Sequence, residues 1–372
     1  MTEPIDQEHH PRHSRLIGHD NVLDAILGGG ADGGHNRRHH GFIINGPKGI
    51  GKATAAWRAA ERLLASAPHD DGTNGGAGLF GDELAPSPDA GLDENNPEVR
   101  LVRAGSHPDL IAIEADPSKA SGGISVDQVR AVIPFLSHTP SRGRYRVVII
   151  DALDDMNVNG ANAILKTLEE PPENAVIMII NHQTKPMLPT IRSRVQMITA
   201  SPLGFDDTNH VIRSIFEDAD QDWVDVATAL ADGAPGKAAL FAESGAIDLY
   251  AETTQMLAGE QTDRMTIDGL SAQWGAGGVK NLAKRQMGLM LMMRFLAMAA
   301  RHATGIQPND QTPRLDIEDR AIAQICNRHH VDQLAAWYQQ YYQRLVEAER
   351  LNLDAAPIYF DLLSALMNKN QP

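Results

Sequence analysis

The chain has 372 residues, 42% hydrophobic and 22% charged, with a formal net charge of −15. That is length for two or three soluble domains with a sizeable core, and the acidic total argues against strong nucleic-acid binding by the chain alone. Cys326 is the only cysteine, which excludes an internal disulfide and a zinc site built on several thiolates.

The opening MTEPIDQEHHPRHSR has no apolar stretch behind its charges and reads as no signal peptide. No run of about 18 apolar residues follows anywhere, so no membrane-spanning helix is expected. A reducing cytoplasm is the expected setting. His9, His10, His13, His35, His39 and His40 lie in this polar region without an accompanying acidic pattern, and no metal site is expected there. NVLDAIL has helical spacing, GGGADGG breaks it, and GFIIN is a short buried strand.

GPKGIGKA then matches G-x-x-x-x-G-K between that strand and a helix running to about Leu64. Gly46, Gly49 and Gly51 let the backbone of Gly46, Pro47, Lys48, Gly49, Ile50 and Gly51 turn its N–H groups toward a phosphate, and Lys52 reaches the terminal phosphates. A glycine-rich turn with no ligand is the plainer alternative. Ala53 stands where such a loop carries Ser or Thr, so no hydroxyl is offered to Mg²⁺. Thr54 is one position on, about 100° around the helix. ATP or ADP could therefore sit in the loop without being hydrolysed.

Residues 66–98 are rich in Gly, Pro and Asp without periodicity and read as a disordered acidic insert. Order is expected again at HPDLIAIEAD, with a strand in Leu110–Ile113. In SVDQVRAVIPFLSH, Ser125 caps a helix and Gln128 completes a capping box. YRVVIID and NAVIMIIN are apolar strands on either side of the helix NVNGANAILKTLEE, which two prolines stop. Such alternation predicts a parallel sheet covered on both faces, an α/β domain of three layers.

Asp151 ends its strand where a Mg²⁺-holding carboxylate belongs, but Ala152 replaces the glutamate that would polarise an attacking water. Asp154 and Asp155 are expected to face solvent on the following helix. Asn181 ends the next strand and could touch a γ-phosphate. TIRSR places Ser193 and Arg194 after a proline-marked turn; from composition alone Arg194 is an ordinary surface arginine.

Beyond about residue 205 the pattern is helical throughout, with a Gly-rich break in ADGAPGKAAL. Lys237 there reads as a solvated helix-start lysine. The methionines of QMGLMLMMRFLAMAA read as a buried helix face.

LIGHD, GPKGIGKAT, HPDLIAIE, SVDQVR, RVVIIDALDDMN, ANAILKTLEEPP, LPTIRSRV and ERLNLD together resemble the clamp-loader branch of the AAA+ ATPases that serves bacterial DNA polymerase III. The resemblance runs from about Arg15 to the C-terminal helices, and ANAILKTLEEPP followed by LPTIRSR is its most specific part. It implies a P-loop AAA+ domain over 1–201, a helical lid over 202–245 and an all-helical collar over 246–372. It also implies a non-motor, stator-like subunit, poor at hydrolysis alone, within a nucleotidyltransferase holoenzyme. Its partners would be gamma/tau-type motor and delta-type subunits, with the sliding clamp and primed DNA reached through the complex.

In that family a Ser-Arg-Cys motif supplies an arginine finger to the neighbouring motor. Ser193 and Arg194 match it and Val195 replaces the cysteine; Lys237 lies where the family's lid-domain sensor often has Arg, which implies a contact with a nucleotide phosphate without the bidentate fork. Many relatives carry a four-cysteine zinc module before HPDL, and this chain has the acidic insert there, so no zinc is expected. Two rival readings remain: an autonomous AAA+ ATPase acting on DNA, with Asp155 or Asn181 replacing the glutamate, and a plain scaffold.

Overall fold

The computed structural model describes residues 10–28, 39–65, 95–115, 123–259, 262–278, 281–305 and 315–368. They form two compact units, Met1–Pro202 and Leu203–Pro372. GGGADGG beyond its first glycine, His9, His35 and residues 66–94 of the acidic insert lie outside the described residues.

The first unit alternates helices and strands: α1 (Asp20–Leu27), β1 (Gly41–Asn45), α2 (Lys52–Ala65), α3 (Pro97–Arg103), β2 (Leu110–Glu114) and α4 (Val126–Ser137). It continues with β3 (Arg146–Asp151), α5 (Val158–Glu169), β4 (Ala175–Asn181), α6 (Pro189–Arg192) and β5 (Gln196–Thr199). All strands pair in parallel, in the order β2-β3-β4-β1-β5. The interior strands are apolar because both faces are covered, and every residue of β1 and β4 is buried. Ile43, Val148, Ile150, Ile177 and Ile179 point to one face and pack with Val129 and Val132 of α4 and Ile164 and Leu168 of α5. The alternate residues point the other way, where α2 lies on β3 and β4. Each fully buried side chain of this kind stabilises by about 1.5–3 kcal/mol. This is the expected α/β unit with a parallel sheet covered on both faces.

Ser125 and Gln128 form the predicted capping box at the start of α4. Two elements depart from the sequence expectation. Order resumes before HPDL, because Asn96 accepts from Glu98 N and Pro97 opens α3, so the end of the 66–98 stretch is helix. And β5 is an additional edge strand, with only Ile198 buried.

The second unit is helical, with no strand among the described residues. Its helices are α7 (Phe205–Ile215), α8 (Gln221–Ala231), α9 (Lys237–Ser244), α10 (Ala246–Ala258) and α11 (Arg264–Gly275). The remainder are α12 (Leu282–Ala303), α13 (Asp316–Arg328), α14 (Val331–Arg350) and α15 (Ala356–Met367). One apolar cluster runs from Ile212 and Phe241 through Leu249, Leu291 and Phe295 to Leu362 and Leu366. Met287, Met292 and Met293 of α12 are buried in it, so the methionine-rich stretch is a packed helix face. Gly275 is where α11 meets the start of α15: a Cβ there would lie 1.9 Å from Ala356 N. Buried Glu318 accepts from both Tyr250 Oη and Arg294 Nη1, so its charge is paired and hydrogen-bonded.

Candidate functional site

The parallel sheet brings the carboxyl ends of β1, β3 and β4 to one edge, and the P-loop occupies that edge between β1 and α2. Gly46, Gly49 and Gly51 adopt φ of +153°, +87° and +103°, which only glycine takes without strain. Gly46 has a second constraint, since a Cβ on it would lie 2.4 Å from the Ala200 carbonyl oxygen. Buried His19, from LIGHD, braces the loop with Nε2 2.7 Å from Ile50 O. In the sequence LIGHD carries only part of a family resemblance, and no local pattern marks His19.

Lys52 is buried and folds back over the loop, its Nζ donating to Gly46 O at 2.7 Å and to Pro47 O. Burial pulls its ammonium down to about 8, against the opposing attraction of Asp151 and Asp154. Lys48 is exposed and Thr54 is buried. The loop thus has the glycines and the lysine of a phosphate cradle, with no hydroxyl at Ala53 and no carboxylate at Ala152, which is fully buried.

Asp151 stands in register with Glu114 at the ends of β3 and β2. Burial, and then the Glu114 charge, push its carboxyl up to about 6, with Lys52 pulling the other way. His182 Nε2 lies 3.8 Å from Asp151 Oδ1. Burial and the nearby Lys52 charge hold this imidazole down at about 4, so it is neutral near pH 7 and the contact is no ion pair there. His182 was not singled out in the sequence. Its only signal was its place directly after the apolar strand ending at Asn181.

Asp154 corrects the expectation that it faces solvent. It is 6% exposed and accepts from His182 N, Thr184 N at 2.8 Å and Thr184 Oγ1 at 2.6 Å. It sits in a 3-10 turn, Leu153–Asp155, rather than on the following helix. Burial works against its charge, but the bonds from Thr184 and His182 outweigh it and hold the carboxyl below its ordinary value. Asp155 is exposed, as expected.

Asn181 is buried and tied down. Its Nδ2 donates to Asn45 Oδ1 at 2.7 Å, and its Oδ1 accepts from Gln183 N at 3.3 Å. In the second unit, half-buried Lys237 donates from Nζ to Ala231 O at 3.1 Å, at the carboxyl end of α8, where a cation is favoured. Burial lowers its ammonium, opposed by Asp232.

Ser193 and Arg194 lie at the opposite edge of the sheet from the P-loop. They precede β5, which runs parallel to β1, and Arg194 O is 3.7 Å from where a Cβ on Gly41 would stand, at the first residue of β1. The length of β1, about 3.3 Å per residue, separates them from the loop. The Arg194 guanidinium donates from Nη1 to Thr190 O at 2.6 Å and to Ser193 Oγ at 3.0 Å. Its Nη2 meets Glu169 Oε1 at 2.8 Å.

The family model described as "DNA polymerase III, delta subunit" matches residues 79–204, ending two residues past the first unit. The Pseudomonas aeruginosa DNA polymerase III subunit delta' is 38% identical over 162 residues, 44% of this chain and 43% of that protein. Over that stretch the chain is similar to a delta-prime subunit. The Escherichia coli DNA polymerase III subunit tau is 28% identical over 203 residues, 55% of this chain and 27% of that protein. The Mycobacterium tuberculosis subunit gamma/tau is 29% identical over 181 residues, 49% and 27% of the two chains. Each of these matches spans less than half of the relative's own length. No described helix is long and apolar enough to cross a membrane.

Proposed function

We propose that the chain is a delta-prime-type clamp-loader subunit that acts in the cytoplasm through contacts rather than through its own turnover. It would join gamma/tau-type motor and delta-type subunits and help seat a sliding clamp on primed DNA through the assembled complex. Residues 202–245 would serve as lid, with Lys237 in it, and 246–372 as collar. Arg194 would be the arginine finger, placing a guanidinium against charge developing on a neighbour's transferred phosphate.

The observation that supports this best is the separation of Arg194 from the chain's own P-loop by the length of β1. That separation favours a site on another subunit over the chain's own loop. The P-loop itself, with Lys52 bonded to its own carbonyls and Ala53 and Ala152 in place of the hydroxyl and the carboxylate, favours a nucleotide-holding or purely architectural role. The rival ATPase reading draws little support from its substitutes. Asn181 is committed to Asn45, and Asp155 points to solvent.

The test follows steady-state ATP hydrolysis by the organism's motor and delta-type subunits on primed DNA, with this chain, with Arg194→Ala, and with neither. Stimulation by wild type that the assembled Arg194→Ala complex loses is the expected result. Equal stimulation by both would remove the finger. Hydrolysis by the purified chain that Lys52→Ala abolishes would replace the stator reading with the ATPase one.

A further inference from the structure

We infer that Glu169 is a positioning residue for Arg194, holding the guanidinium ready for a phosphate on a neighbouring subunit. The inference rests on the finger reading above and concerns a residue that reading does not use.

Glu169 is the last residue of α5. A carboxylate in the last turn of a helix faces the negative end of the helix dipole, so helix formation gives no reason for a glutamate there. Its partner is Arg194, with Nη2 2.8 Å from Glu169 Oε1. Both backbones are held. Leu168, beside Glu169, is 1% exposed, and its carbonyl lies 2.9 Å from His40 Nε2. Arg194 N donates to Ile191 O at 3.0 Å, and Ile191 is fully buried. The two side chains remain partly exposed, 45% for Glu169 and 32% for Arg194.

An exposed pair of this kind adds little to folding, so its effect falls on orientation. Thr190 O and Ser193 Oγ take both protons of Nη1, and Glu169 takes one proton of Nη2. The Nε proton and the second Nη2 proton have no partner among the described residues. The guanidinium is thus fixed by three contacts and still has donors for an incoming phosphate oxygen. Without Glu169 the long side chain would regain rotamers that it must give up when it reaches the neighbour's site. The same carboxylate would be screened and exchanged easily, since half of it already faces solvent.

The experiment uses the assembled loader on primed DNA, reading kcat and KM for ATP hydrolysis, with assembly checked by gel filtration. Glu169→Ala is expected to assemble, to lower kcat about fivefold, the order that an exposed pair can supply, and to leave KM nearly unchanged. Glu169→Gln, which keeps an acceptor, should fall between it and wild type. In the Arg194→Ala background Glu169→Ala should change nothing further, because it acts through Arg194. If Arg194→Ala slows turnover but Glu169→Ala does not, the finger stands and the positioning role is overturned. If Glu169→Ala slows turnover again on top of Arg194→Ala, Glu169 acts independently and the inference fails. If Arg194→Ala is indistinguishable from wild type, the finger reading falls and takes this inference with it.

Discussion

Asn181 Nδ2 donates to Asn45 Oδ1 at 2.7 Å, a buried bond between residues in register at the carboxyl ends of β4 and β1. Gly46 N, the first amide of the P-loop, donates to Asn181 O at 3.2 Å, so the pair ties the loop's root to the neighbouring strand. Asn181→Ala leaves the Asn45 acceptor buried without its donor and should cost about 1–3 kcal/mol. The check is the shift of the urea midpoint. No shift would mean that the side chain is free for a ligand.

Asp151 should make the protein less stable as the pH rises through 6. Its folded carboxyl titrates at about 6 against an ordinary 3.8, so the folded state keeps a proton that the unfolded chain has lost. Its contribution is fully present below 3.8 and is lost as the pH passes about 6. Asp151→Asn mimics the protonated group and should raise the melting temperature at pH 7.5, with the difference from wild type closing toward pH 3.8. Thermal melts of both proteins across that range decide it.

Asp154 should act in the opposite sense. Its carboxyl is held below the ordinary 3.8, so its stabilisation is present above that value and is lost as the pH falls through the lower folded one. Asp154→Ala leaves the His182 and Thr184 amides without their acceptor. It should destabilise by at least about 2 kcal/mol at pH 7, with a smaller acid-dependent loss than wild type. Denaturant titrations at pH 7 and below 3.8 would show both.

Gly46→Ala and Gly275→Ala should each disrupt one unit. The first drives a Cβ against Ala200 O at a positive φ, and the second drives one against Ala356 N. Losses above about 3 kcal/mol are expected, because backbone must move rather than a side chain. Hydrogen exchange should locate each loss, in the P-loop and β5 for Gly46→Ala and in α11 and α15 for Gly275→Ala.

The sheet was legible where chemistry repeats. Val147–Ile150 and Ala175–Ile180 are apolar throughout because they are interior strands, and the P-loop's glycine spacing is a backbone requirement written directly in the residues. Ser125 and Gln128 were readable because a capping box is local. What escaped depends on distant chain. β5 has one buried residue, Ile198, and no run or alternation to betray an edge strand. Asp154 looks like a surface acid until Thr184 and His182 fold around it. At the candidate site the residue types were visible, but Glu169 beside Arg194 is a meeting of α5 with the turn after α6, and no spacing announces it.

The cluster shared by Ile212, Phe241, Leu291 and Leu366 bears on how residues 203–372 come apart. A fragment ending at 245 would strand Phe241 without Leu291 and Phe295, and one beginning at 246 would open the same cleft from the other side. Heating should therefore melt these helices as a single cooperative block, and limited proteolysis should find no stable product cut near Gly245. Swapping part of this region between related chains would fail at Gly245.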